Sequence, residues 1–215
     1  MNRKSLALAT IVLLSLITLL GCSPDDDAAD GSPLVTGRLA DLQGTWTRNC
    51  YSARSVLINN DQYHVIETYK ISGSNISASK TYYAINDMNC KNSKKFTDES
   101  SYSNLAIGDN VTSGNFKDYT FVYSVQSIGR TPNDNSTRDL LKDTRNLLKD
   151  KCSITDWGTD NYTDLLNNTC GHPKNITLLN SYRVVGTNLF LGKPLNEADH
   201  QTYPSVDDTK VYIKQ

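Results

Sequence analysis

YHVIETYKIS (63–72), GS (73–74) and NISASKTYYAI (75–85) read together as a β-hairpin. Both outer runs are rich in β-branched and aromatic residues. Between them stands a two-residue turn of the Gly-first type, whose glycine supplies the positive φ such a turn requires. That turn sets the register, because partners across the strands must have numbers summing to 147. Ile71 then faces Ile76, Tyr69 faces Ala78, Glu67 faces Lys80 and Val65 faces Tyr82. Side chains alternate with period two, so all of these share one face. The opposite face carries His64, Thr68, Lys70, Ser77, Ser79 and Thr81 and is expected to see water, with Ile66, Tyr83 and Ile85 as apolar exceptions.

Working outward, the same punctuation continues. The folded part begins at Leu42-Gln43-Gly44-Thr45-Trp46 and runs into Thr47-Arg48-Asn49-Cys50, with Gly44 and Trp46 on the first strand. Another spans Ser101 to Ile107 and turns at Gly108-Asp109-Asn110; Asp118 to Ile128 follows, with Tyr119, Phe121, Tyr123 and Val125 on one face. Tyr182 to Val185, Leu189 to Leu191 and Lys210 to Lys214 close the set. An open sheet of eight or nine strands tends to curl or split, so the expected fold is all-β, a small antiparallel barrel of about eight strands. Residues 129–175 break the rhythm. Ser136-Thr137-Arg138-Asp139 has the pattern of a capping box, and Leu140, Leu141, Leu147 and Leu148 mark an apolar stripe on a helix to about Asp150. A shorter helix is expected from Tyr162 to Asn168, and the whole insertion should pack against one end of the barrel.

The amino terminus has a different character. Met1-Asn2-Arg3-Lys4 precedes an apolar run from Leu6 to Leu20, the charged and apolar regions of a secretory signal. Leu19-Leu20-Gly21-Cys22 resembles a bacterial lipobox. The resemblance implies removal of residues 1–21, lipid attachment at Cys22 and a protein held on a membrane of the bacterial envelope by its N-terminal lipid. Residues 22–41 then form a tether too polar and too rich in Ala, Gly and Pro to bury a core. Ser23 after the lipidated cysteine fits outer-membrane sorting, and the Asp25–Asp27 cluster resembles surface-export tags. Removing the signal leaves 194 of 215 residues, with 20 basic against 23 acidic, a balance that gives no reason to expect nucleic acid as a partner. Outside the cytoplasm Cys50, Cys90, Cys152 and Cys170 read as two disulfides. Three connectivities are open, and the sequence-local pairs Cys50–Cys90 and Cys152–Cys170 are favoured.

Gly44-x-Trp46 on the first strand resembles the signature of lipocalins and related calycin barrels, in which the Trp plugs one end. A cysteine on the first strand and a second after the third is similar to bacterial lipocalin-like lipoproteins of largely unassigned function. The likeness spans residues 42–128 and 176–215. The last strand offers no arginine to stack on Trp46, leaving Lys210 and Lys214 as the cations available to it.

Chemistry is sparse. No Gly-x-Ser-x-Gly is present, and His64, His172 and His200 sit in unrelated contexts. Ser77 and Lys80 have the letters of a Ser/Lys site, but three-residue spacing on a strand sends them to opposite faces. Cys152, Cys170 and His172 are better explained by a disulfide than by zinc, and Asp156, Asp160 and Asp164 by caps and solvated faces than by calcium. No catalytic group and no cofactor are assigned. The notable constellation is Glu67 and Lys80 on the apolar hairpin face, with Tyr69 and Tyr82, and with Tyr63, Tyr119, Phe121 and Tyr123 around them. Arg48 shares the parity of Trp46. If that face lines a cavity, it suits a small amphipathic ligand anchored at one polar point. If the tyrosines fill the barrel, Glu67 and Lys80 form a structural pair, and the chain is an interaction module contacting an envelope protein. A cavity reaching Glu67 and Lys80 favours the first reading; a filled interior favours the second.

Overall fold

The computed structural model describes residues 35–36, 39–55, 61–113, 116–142, 154, 157–166, 175–195 and 202–215. Short strand β1 (Val35–Thr36) and helix α1 (Leu39–Leu42) lead into β2 (Gly44–Ser55), β3 (Asp61–Ser72), β4 (Asn75–Tyr83), β5 (Lys94–Ser113) and β6 (Phe116–Pro132). After α2 (Asn135–Lys142) and β7 (Thr163–Asp164) come β8 (Thr177–Val185), β9 (Asn188–Leu191) and β10 (Val211–Lys214). Eight of these strands pair antiparallel in chain order, β2-β3-β4-β5-β6-β8-β9-β10, and β10 returns to β2. The sheet therefore closes into an eight-stranded up-and-down barrel, and closure leaves the ring no open edge to cover. Strands β1 and β7 extend it where ring strands outrun their neighbours, on β8 and β6 respectively.

The hairpin register holds throughout, with Ile71 opposite Ile76, Tyr69 opposite Ala78, Glu67 opposite Lys80 and Val65 opposite Tyr82. Gly73 sits at φ +56° with open space around it, as its turn demands. Buried and exposed residues alternate along β3, with Tyr63, Val65, Glu67, Tyr69 and Ile71 inside.

Several boundaries differ from expectation; β5 starts at Lys94 and β8 at Thr177, both earlier than expected. Strand β4 ends at Tyr83, leaving Ile85 about half exposed. There the chain turns around Asp87, whose carboxylate accepts the amides of Lys91, Asn92 and Ser93, and delivers Cys90 to its disulfide with Cys50 on β2. Strand β5 does not turn at Gly108-Asp109-Asn110; it runs on to Ser113, absorbing the irregularity as a bulge between Ile107 and Asn110. Gly108 is needed for close approach, because a Cβ there would stand 2.5 Å from Thr120 Oγ1. Strand β6 continues to Pro132, so the interruption begins after it. Finally, where a short helix was expected from Tyr162, the described residues Tyr162 to Leu166 hold the two-residue strand β7 followed by a bend, and none of these five is helical. Beyond Ser124 the edge of β6 is no longer taken by β8, and β7 pairs there instead, Gly129 opposite Asp164 and Arg130 opposite Thr163.

Helix α2 is capped by Asp134 rather than by the Ser136 hydroxyl. Asp134 Oδ1 accepts the Thr137 amide at 2.6 Å and the Ser136 hydroxyl at 2.9 Å. Burial works against its charge, yet Lys95 and Thr137 hold its carboxyl at about 2. Leu147 and Leu148 lie outside the described residues, as do Cys22, Cys152, Cys170, His172 and His200.

Both ends of the barrel are filled. At one, Trp46 is fully buried; its indole donates to the Leu42 carbonyl of α1 at 2.7 Å, and Lys214 Nζ stands 5.2 Å from its ring. Lys214, on β10 opposite Trp46, thus takes the place expected of a last-strand cation. At the other end Leu141 of α2, Ile154, Trp157 and Leu165 pack with Tyr63, Val65, Tyr82 and Phe96.

Candidate functional site

Glu67 is the most unusual group in the barrel. It points inward from the middle of β3, is 2% exposed, and is met by three phenols. Tyr69 donates to Oε1 at 2.6 Å, Tyr212 to Oε2 at 2.7 Å and Tyr51 to Oε2 at 3.1 Å. Each phenol comes from a different structural decision. Tyr69 lies two residues along the same strand. Tyr212 comes from β10, because closure brings that strand beside β2. Tyr51 reaches the interior through a bulge between Arg48 and Tyr51 that resets the parity of β2 after Trp46. Arg48 stacks on Tyr51, its guanidinium carbon 3.6 Å from the ring centroid. A carboxylate accepting three hydroxyls keeps its lone pairs occupied away from water, which is the condition for tolerating a buried charge. Burial first, then the Glu67 carboxylate, raises the Tyr69 and Tyr212 phenols well above their ordinary range.

Lys80 is the cross-strand neighbour of both Glu67 and Asp98, is half-buried, and has its ammonium 5.6 Å from the Tyr82 ring centroid. With Glu67, Tyr69, Asp98 and Ser100 it borders a void of about 10 Å³, room for roughly one water. On the other side of Tyr69 lies a second void of about 10 Å³, walled by Leu42, Ile71, Ile76, Phe121 and Leu195. The remaining aromatic residues expected to line a ligand cavity pack on one another. Phe121 lies 5.4 Å from Tyr123, Tyr119 lies 5.7 Å from Tyr182, and Tyr82 stacks on Phe96 at 4.1 Å between centroids. Tyr123 donates to the Leu195 carbonyl at 2.8 Å, while the Leu195 amide donates to Tyr69 at 3.3 Å. Leu195, carried inward by the chain after β9, is thus pinned by two phenols.

The structure therefore brings Glu67, Lys80 and Tyr69 together, sets Tyr119, Phe121 and Tyr123 in the same packed core as Tyr69, and places Tyr82 in the second core near α2. Several participants escaped the sequence reading, among them Tyr51, Arg130 and Tyr212. Arg130, fully buried, binds Asp98 through Nε at 2.5 Å and Nη2 at 2.7 Å and covers the Phe96 ring at 4.4 Å. Arg130 was missed because β6 was expected to stop at Ile128, and because a bulge between Val125 and Ser127 shifts the inward set from the odd positions 121, 123 and 125 to Arg130. Tyr212 was missed because nothing in a four-residue strand announces which neighbour will close the ring.

Other candidates resolve into structural roles. Asp160 accepts the Asn133 side-chain amide at 3.2 Å, and Asp164 accepts the Leu166 amide at 2.8 Å. On the outer face Arg183 ties Asp118 on β6 to Asp208, at 2.6 Å each. No protein-family model matches the chain, and a search of curated proteins finds no match either.

Proposed function

We propose that this chain is a lipid-anchored lipoprotein of a bacterial envelope and acts as a non-enzymatic interaction module, a solid lipocalin-like barrel that meets its partner with its outer surface. The observation that carries this reading is the filled interior. Among the described residues the two voids beside Tyr69 are each no larger than about one water, and side chains of α1 and of the segment after β6 occupy the two ends. The amino-terminal lipobox resemblance at Cys22 supports the anchor, and the Cys50–Cys90 disulfide fits an oxidising compartment.

The second reading, a carrier for a small amphipathic molecule, draws on one arrangement. The polar void at Glu67 and the apolar void at Leu191 and Leu195 share Tyr69 as their common wall, so a ligand with a donor-bearing head and a short apolar body would span both.

Two measurements test these readings. Growth with a labelled palmitate should mark the protein, and Cys22→Ser should abolish the label; an unlabelled wild type removes the anchor. Native mass spectrometry on the protein isolated from cells should give the bare mass. A reproducible adduct, lost in a Tyr69→Ala/Tyr119→Ala double variant, would replace the interaction module with the carrier.

A further inference from the structure

A concavity of about 360 Å³ lies outside the barrel, on the sheet face the hairpin turns to water. Two adjacent rows of cross-strand partners form its floor. Thr68, Ser79, Glu99 and Gly129 succeed one another across β3, β4, β5 and β6, and beside them run Lys70, Ser77, Ser101 and Ser127. Three strand spacings give the floor a length of roughly 14 Å. At the β6 end stands Tyr162, 46% exposed, its ring laid on Gly129 so closely that a Cβ at that position would be 2.2 Å from it. Gly129 needs no positive φ, so its missing side chain serves to seat the ring. Partial burial raises the Tyr162 phenol first, with Ser127 acting against it and the Asp164 and Glu99 carboxylates adding to it, which sets Glu99 and Ser127 in the field of the ring.

We infer that this groove is a saccharide site, taking a short oligomer of acetamido sugars. The inference rests on the interaction reading above and names the chemistry of the partner. The lining discriminates among classes. Its strands are paired on both edges, so a peptide cannot add itself to the sheet. One lysine and one glutamate give no field for a polyanion, and a wall with one aromatic residue gives no seat for an acyl chain. Hydroxyl groups of Ser77 and Ser79 exchange hydrogen bonds with sugar hydroxyls, while Ser127, bonded to Ser101 at 2.6 Å, and Thr68, 3.3 Å from Thr47, keep one position each for the sugar. The exposed Tyr162 ring offers an apolar face with a wet edge, matched by the C–H face of a pyranose. An acetamido group carries one acceptor and one donor; Lys70 donates to the carbonyl and Glu99 accepts from the N–H.

The test is titration of the full chain, in detergent micelles, with a β-1,4-linked N-acetylglucosamine tetramer, followed by amide chemical shifts and calorimetry. Saturable binding in the millimolar range or tighter, with shifts centred on Ser77, Ser79 and Ser101, is expected. Tyr162→Ala, and separately Ser101→Trp to fill the floor, should each weaken binding by about tenfold or more. Met88→Ala, on the exposed loop after β4, should leave it unchanged. A β-1,4-linked glucose tetramer, lacking the acetamido groups, should bind more weakly. No saturable binding at millimolar sugar, or equal binding by the wild type and both folded groove variants, overturns the inference. That failure, with Cys22 labelled and the barrel bare, would sink the saccharide site alone. Loss of the label would instead remove the envelope anchor and leave the groove result standing.

Discussion

Glu67 shows how one acidic side chain can organise a barrel core. Its carboxylate is the acceptor that three tyrosine hydroxyls from β2, β3 and β10 share, so it links the strand that opens the ring to the strand that closes it. Removing the acceptor strands donors in a dry interior, and a buried donor without a partner costs about 1–3 kcal/mol. Glu67→Ala should therefore lower the unfolding free energy by roughly 3 kcal/mol, read from urea denaturation at neutral pH. The loss exceeds the simple stranding of Lys80 that a hairpin view suggests, because two of the three phenols, Tyr51 and Tyr212, come from strands outside the hairpin. A change within about 0.5 kcal/mol would mean that the network contributes little to stability.

Among the elements, β6 carries the most varied load. Its first half faces Phe121 and Tyr123 inward and is paired by β8 from Tyr119 to Ser124, and its last third, beyond the reach of β8, accepts β7 and the ring of Tyr162. Gly129 makes the last contact feasible. Gly129→Ala should destabilise the protein by about 1–3 kcal/mol through overpacking against the ring. Tyr162→Ala in the same chain should restore most of that loss, since the ring is what the new methyl meets. A double-mutant cycle measures the coupling, and additive effects of the two substitutions would show that the ring does not sit on Gly129.

For the molecule as a whole, tyrosine serves as core filler, and this couples stability to alkaline pH. The buried phenols of Tyr69, Tyr82, Tyr102, Tyr123, Tyr182 and Tyr212 are all raised, primarily by burial, and Tyr63 is pushed up to about 12. A phenol raised in the folded state holds its proton where the unfolded chain has released it. Stability from these groups is therefore complete below pH 10 and lost as pH rises toward and through 12 for Tyr63. Ultraviolet phenolate absorbance and far-ultraviolet circular dichroism followed together should show most tyrosines ionising in step with unfolding. Free ionisation near pH 10 with the fold intact would show that the phenols are solvated.

How much of this lies in the chain alone depends on range. The hairpin, its register and the inward set from Tyr63 to Ile71 follow from a two-residue turn and the strict alternation of strand side chains, both local. So do the pairing choice for Cys50 and Cys90 and the aromatic face of β6. What the sequence could not decide was where Glu67 finds its acceptor bonds, where β6 ends and what fills the barrel. Those depend on a bulge that resets parity at Tyr51, on β10 arriving beside β2 so that Tyr212 reaches Glu67, and on Leu195 being drawn into the core. Local sequence sets which way a side chain points, because that needs only the backbone of its own strand. Only the closed ring determines what it meets there, because partners such as Tyr212 for Glu67 and Leu195 for Tyr69 come from parts of the chain more than a hundred residues away.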